Sequence, residues 1–193
     1  MRAITFDIES ISDSVVRGHV DVNTQELIVV AIHDSLTGEY SSFSREDLPK
    51  LWPIIESADV LIGFNSDSFD IPLLNRYYPG DLTSIPSLDL LVEVQKALGR
   101  RIRLQSLAEA TLGRGKSGDG LKAGDWWREG KRDLVHKYCV EDVRITRELY
   151  DYALKNGKLK FKELSAKRDL KLDTSHWGER ATALPSLTHA LQL

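Results

Sequence analysis

The sequence predicts a mixed α/β domain, with three antiparallel strands, further parallel strands and helices on the faces of the sheet. Two observations predict it. In the opening stretch, Ile4, Phe6 and Ile8 alternate with Thr5, Asp7 and Glu9, the two-residue period of a strand. The apolar, β-branched run Glu26 to His33 follows, then a turn at Thr37-Gly38 and a return over Glu39 to Phe43. Three strands with short links form an antiparallel meander. The second observation is a short apolar strand over Asp59 to Phe64, preceded by a helical pattern over Arg45 to Ser57. Such a crossover sets the new strand parallel to the first and central in the sheet.

The remaining elements follow in order. The first strand covers residues 2–9, and the polar stretch 10–25 is a loop. In the helix of residues 45–57, Leu48, Leu51, Trp52, Ile54 and Ile55 repeat near 3.6, and Pro49 and Pro53 sit early enough to kink it without abolishing it. Asn65 to Ser68 is a turn, and Phe69 to Tyr78 a helix with Pro72 in its first turn, stopped by Pro79-Gly80. Ser87 or Asp89 caps a helix that runs to Leu98 and ends at Gly99. Gln105 to Leu112 is another helix, ended by Gly113. The glycine-rich stretch 113–130 is a mobile loop, with Trp126 and Trp127 pinning part of it. Lys131 to Lys155 is the longest helix, and its stripe of Leu134, Val135, Tyr138, Asp142, Ile145, Leu149 and Tyr152 includes a carboxylate. Lys158 to Lys162 alternates like a hairpin arm, with Leu170 to Asp173 as its partner, and residues 174–193 are weakly helical.

At 193 residues, one domain with a good core is expected. Residues 156–193 are an extension packing on the same domain. No apolar run approaches the roughly 20 residues of a membrane span. Asp7 and Glu9 interrupt the first apolar segment, so nothing there reads as a signal peptide, and a cytoplasmic address is the default. The one cysteine, Cys139, excludes an internal disulfide framework and a cysteine-based zinc site. A net charge of −3 gives no global pull toward nucleic acid, but an acidic metal site can offset a basic track elsewhere.

The candidate chemistry lies in the carboxylates. Asp7 and Glu9 project from one face of a strand, roughly 6.6 Å apart. Paired carboxylates repel unless a cation lies between them, and hard divalent ions prefer oxygen ligands. A solvated acidic face on an edge strand is the alternative. Asp70 follows the neighbouring central strand, and Asp142 lies on the apolar stripe of the long helix, where an unpaired charge would be costly to bury. Tyr138, four residues earlier, shares that face.

Phe6-Asp7-Ile8-Glu9, then the segment from Gly63 through Asp70 to Leu73, then Tyr138-Cys139-Val140-Glu141-Asp142-Val143 resemble the three motifs of the DEDD exonuclease superfamily. Order and spacing match the tyrosine subclass (DEDDy), as in the proofreading domain of family-B DNA polymerases and its free-standing bacterial and archaeal relatives. The histidine subclass would need His five residues before Asp142, where Lys137 stands; His136 is turned off the face and is a surface residue. Leu104 to Gly113, with Lys116, also resembles a segment those domains carry before the third motif. The resemblance covers residues 2–155.

It implies a ribonuclease-H-like fold with a mixed five- to six-stranded sheet. It also implies two-metal hydrolysis of a phosphodiester from a 3′ end, with two Mg²⁺ or Mn²⁺ ions per site. Carried over, Asp7 bridges both ions, Glu9 and Asp142 complete the water-activating site, Asp70 holds the second ion, and Tyr138 orients the attacking water. The expected substrate is the 3′ end of single-stranded DNA, releasing 5′-mononucleotides. An exoribonuclease and a non-catalytic nucleic-acid-binding module of the same fold are the alternatives. A replication or repair protein is a candidate partner.

Other residues carry two readings each. Asp70 caps its helix or binds metal; Tyr138 packs in the core or serves the site. Asp67 is a turn residue, Asp89 a cap and Glu141 part of a solvated face. Asn65 is a turn residue or a substrate contact. Ser10 and Ile11 follow the first motif, where related domains meet the terminal nucleotide. Phe64 and Phe69 pack in the core or stack on a base. The basic tail (Lys155, Lys158, Lys160, Lys162, Lys167, Arg168 and Lys171) and the cluster Arg100, Arg101 and Arg103 bind phosphates or are solvated faces. Trp126 and Trp127 form a stacking platform or pack the loop onto the body.

Overall fold

The structure, a computed structural model, describes residues 1–12, 21–114, 121–164 and 166–177. Its main sheet has five strands: β1 (Ala3–Ser12), β2 (Gln25–Asp34), β3 (Glu39–Ser44), β4 (Val60–Gly63) and β5 (Ser87–Asp89), in the order β3-β2-β1-β4-β5. β1 and β2 pair antiparallel, as do β2 and β3, whereas β4 runs parallel to β1 and β5 parallel to β4. The meander and the parallel crossover are as the sequence predicts. β1 is therefore the middle strand, and its acidic face is not that of an edge strand.

The helices are α1 (Leu48–Glu56), α2 (Asp70–Asn75), α3 (Leu90–Leu98), α4 (Leu104–Thr111), α5 (Leu121–Arg128) and α6 (Arg132–Asn156). A hairpin of β6 (Lys158–Glu163) and β7 (Ala166–Lys171) follows. Helices cover both faces of the sheet, and the alternation in β1 sorts the layers. Ile4, Phe6 and Ile8 join Leu27, Val30 and Ile32 of β2 against α1 and α2. On the other face, Ile28, Val29 and Ala31 pack against Val135, Cys139 and Val143 of α6. β2 is apolar throughout because both of its faces are buried.

Ile28 and Val29 are consecutive in sequence yet join the same cluster. That breaks strand alternation and marks a bulge, and the β1–β2 register shifts between Glu9 and Ser10. Bulges re-aim side chains and are frequent beside active sites.

Four expectations are corrected. β1 continues to Ser12, so the loop starts later than residue 10. Ser87 to Asp89 pairs with β4 before capping α3, a strand too short to show a period. α2 ends at Asn75, short of Tyr78. The glycine-rich stretch contains α5, held because Ala123, Trp126 and Trp127 share a helical face that packs on the α6 cluster, which outweighs the cost of Gly124. Lys116 and residues 178–193 lie outside the described residues.

The hairpin packs through Leu159, Phe161 and Leu170 on a cluster containing Val94 of α3, Leu107 of α4 and Leu149 of α6. Trp177 is buried there and stacks on Tyr150, ring centroids 5.7 Å apart. Among the described residues, no helix is long and apolar enough to cross a membrane.

Candidate active site

β1 presents Asp7 and Glu9 to the face covered by α6, opposite Ala31 and Val29 of β2. α6 brings Tyr138, Cys139 and Asp142, all buried, to this face, with Asp142 only 3% exposed. Oxygens of Asp7 and Glu9 and the sulfur of Cys139 lie within 4.8 Å of one another. The Cys139 thiol donates to the Asp7 backbone carbonyl at 3.3 Å and faces its Oδ2 at 3.7 Å.

That thiol reports on its surroundings. Burial pushes its pKa well above the ordinary value, and the charges of Asp7, Glu9 and Asp142 push it further. Three acids from two elements thus act on one atom. In this protonated state the thiol serves as a hydrogen-bond donor. Beside it stand carboxylate oxygens, donors that suit hard divalent ions. The residues present fit a hard divalent ion, and Asp7, Glu9 and Asp142 would hold it.

Asp70 arrives by a different route. β4 pairs with β1 only as far as Thr5, so beyond that point β1 has no strand on that edge. The Ile8 amide, between Asp7 and Glu9, donates to Asp70 Oδ1 at 3.1 Å. One hydrogen bond thus satisfies a buried backbone donor and fixes the fourth acid beside the other two of β1. The approach needs a sharp turn after β4. Gly63 permits it: a Cβ there would lie 2.4 Å from the Ser66 Cβ. Asn65 takes a left-handed backbone (φ 70°), which Asn tolerates better than most residues.

The turn is clamped from below by Asp89, which accepts from the amides of Asn65 (2.7 Å), Asp67 (3.2 Å) and Leu91 (2.9 Å). The cap assigned from sequence therefore does a second job, holding the segment that delivers Asp70. Burial raises the pKa of Asp89 despite these donors. Burial also pushes Asp70 up to about 7, with the Asp89 charge adding to it. Asp89→Ala leaves three amides without their acceptor. It should destabilise the fold by about 2–4 kcal/mol in urea denaturation.

The structure brings Asp7, Glu9, Asp70, Tyr138 and Asp142 toward one region. The other candidates are distributed differently. Ser10 Oγ donates to Gln25 Oε1 at 3.0 Å, and Ile11 packs beside the α5–α6 cluster. Asn65 Oδ1 accepts from Ser68 Oγ at 2.9 Å and from Arg101, which brings that arginine to the motif turn. Phe69 packs against the α1–α2 core and Phe64 against the opposite one. Asp67 accepts from Ser87 Oγ at 2.7 Å, as a turn residue.

His136 is half-buried, bridging Ser42 (2.9 Å) and Ser44 (3.2 Å) of β3, and is not a free surface residue. Glu141 pairs with Arg114 and Arg144. In the basic tail, Lys158, Lys162 and Arg168 pair with Asp169, Glu109 and Glu163. Cys139 was not singled out for the site from sequence. Its place next to Tyr138 was the available signal.

A family model for the RNase H superfamily matches residues 4–154. The chain belongs to the RNase H superfamily. This RNase H-like domain is similar in fold to the family B DNA polymerase from the hyperthermophilic archaeon Pyrobaculum calidifontis, with a TM-score of 0.63 and 21% identity. The match covers 79% of this chain and 24% of the polymerase, so the chain spans about a quarter of that protein's length. Among curated proteins, none matches.

Proposed function

We propose that this RNase H-like domain is a metal-dependent 3′–5′ exonuclease of the DEDDy type that releases 5′-mononucleotides from single-stranded DNA. The observation that carries this reading is the convergence of Asp7 and Glu9 on the middle strand, Asp70 hooked to the Ile8 amide, and Asp142 with Tyr138 on the covering helix. The fold shared with a family B DNA polymerase supports it.

Divalent ions in such a site supply an activated water and stabilise the leaving 3′ oxygen. The chain's own residues do the rest. Asp7, Glu9, Asp142 and Asp70 would hold the ions. A phenol is a good hydrogen-bond donor and a poor general base, so Tyr138 orients the attacking water. The Cys139 thiol, donating to the Asp7 backbone carbonyl and 3.7 Å from its Oδ2, would help hold that residue in place. Ser10, Ile11, Asn65 and Phe69 are the proposed contacts to the terminal nucleotide. Residues 1–155 form the exonuclease domain and residues 156–193 its extension. We propose action in the cytoplasm beside a replication or repair protein.

One gel tests the reading. DNA and RNA, single-stranded and duplex and labelled at the 5′ end, are incubated with magnesium, manganese or chelator. A ladder of labelled products shortening from the 3′ end, on single-stranded DNA above all and lost in chelator, is expected. Shortening from the 5′ end, or indifference to chelator, contradicts it. Faster cleavage of RNA would move the substrate to the exoribonuclease alternative. Tyr138→Phe should lower kcat by about 10²-fold with little change in KM, as measured by single-turnover cleavage.

A further inference from the structure

Beside Tyr138 the surface holds a groove of about 300 Å³, lined by Trp126, Leu134, Lys137, Tyr138 and Glu141. One wall is apolar. Leu134 is 42% exposed on α6, unlike the rest of the predicted core stripe around it. Trp126 is half-buried and meets the Tyr138 ring edge-on, centroids 5.8 Å apart. The two tryptophans of α5 have separate situations, since Trp127 is covered by the Arg132 guanidinium at 4.3 Å. Trp126 alone lines the groove.

The charge of the groove also has a direction. Its carboxylate, Glu141, is held by Arg114 at 2.7 Å and Arg144 at 3.5 Å. Lys137 is exposed and forms no ion pair among the described residues. The mouth of the groove is therefore cationic. A second hollow shares Lys137 and Glu141 and continues along α6 past Ser42, His136 and Arg144. An aromatic and an aliphatic wall, a lysine at the mouth and a basic continuation match a planar base joined to phosphates.

We propose that this groove is a subsite for one unpaired nucleotide adjoining the cleaved bond, its base against Trp126 and Leu134 and its phosphate at Lys137. The proposal rests on the exonuclease reading and adds a discriminator between single strands and duplex. A base stacked within a duplex has no free face to offer Trp126. Trp126 is then a specificity residue, seated against Tyr138.

The test uses the full chain and a single-stranded oligothymidylate. With Asp7→Asn to prevent cleavage, binding should quench tryptophan fluorescence. The quench should vanish in a Trp126→Phe background and persist in Trp127→Phe. In the active protein, Trp126→Ala should raise KM for single-stranded DNA about 5- to 150-fold, and Trp126→Phe should restore most of it. Lys137→Gln should lower the slope of log affinity against log salt by about 1.

Cleavage by the wild type with unchanged KM, quench and salt slope in these variants overturns the subsite and leaves the exonuclease reading standing. A wild type that cleaves nothing overturns the exonuclease reading, and the quench and salt slope still decide the subsite. Should Trp126→Ala not fold, Lys137→Gln, on an exposed side chain, decides by itself.

Discussion

Asp7→Ala should abolish phosphodiester cleavage, by about 10³-fold or more, equivalent to roughly 4 kcal/mol of lost transition-state stabilisation. The reason lies in where β1 sits. It is the middle strand, Asp7 faces the buried α6 layer, and its carboxylate lies among Glu9, Cys139 and Asp142. In the proposed mechanism Asp7 would serve both ions, a role no neighbour could take over. The fold should survive the change, because removing one acid from a crowded acidic cluster relieves repulsion in the metal-free protein. The check is cleavage of a labelled oligonucleotide together with thermal unfolding in chelator. Residual activity within tenfold of wild type would remove Asp7 from the mechanism.

The metal-free protein should lose stability as pH rises from 4 toward 7, and Asp70 should be a principal cause. Its folded pKa, about 7, stands above the 3.8 of an unperturbed carboxyl, mainly because of burial. A raised folded value means the native state holds the proton more tightly. Its contribution is complete below the unfolded pKa and is lost as pH climbs through the folded one. The full loss is roughly 4 kcal/mol. Asp70→Asn keeps an oxygen for the Ile8 amide and carries no charge. In chelator it should match wild type near pH 4 and exceed it by about 2–4 kcal/mol at pH 8, while cleavage is lost. Divalent cations favour ionised Asp70, so magnesium should stabilise the wild type more at pH 8 than at pH 5. Urea denaturation at the two pH values decides. Stability that rises with pH in chelator, or an Asp70→Asn protein weaker at pH 8, would refute this account.

Much of this arrangement was legible before any coordinates. Period-two alternation set Asp7 and Glu9 on one face, because a central strand with an apolar far side must keep strict phase. The stripe on the long helix put Asp142 and Tyr138 together, since a helix buried along one side fixes which residues meet the sheet. The Asp89 cap was legible because Asp before an apolar helical run has a local reason to be there.

What escaped depended on non-local partners. β5 is three residues long, and only its pairing with β4 makes it a strand. α5 carries Gly124 and Asp125 in its middle and is held because its tryptophan face packs on the core. The bulge at Ile28 needs two strands in register to be visible at all. The thiol against Asp7 and the Ile8 amide on Asp70 join residues 132 and 62 positions apart. In the basic tail, the pairing of Lys158 with Asp169 and of Arg168 with Glu163 follows from the hairpin register and could not be read from the local sequence.

The most direct test of the central claim is a crystal soaked in manganese and a 5′-mononucleotide, examined by anomalous diffraction. Two peaks about 4 Å apart are expected, one against Asp7, Glu9 and Asp142 and the other against Asp7 and Asp70. A site without manganese at these carboxylates, in crystals that take up the ion elsewhere, would contradict the account.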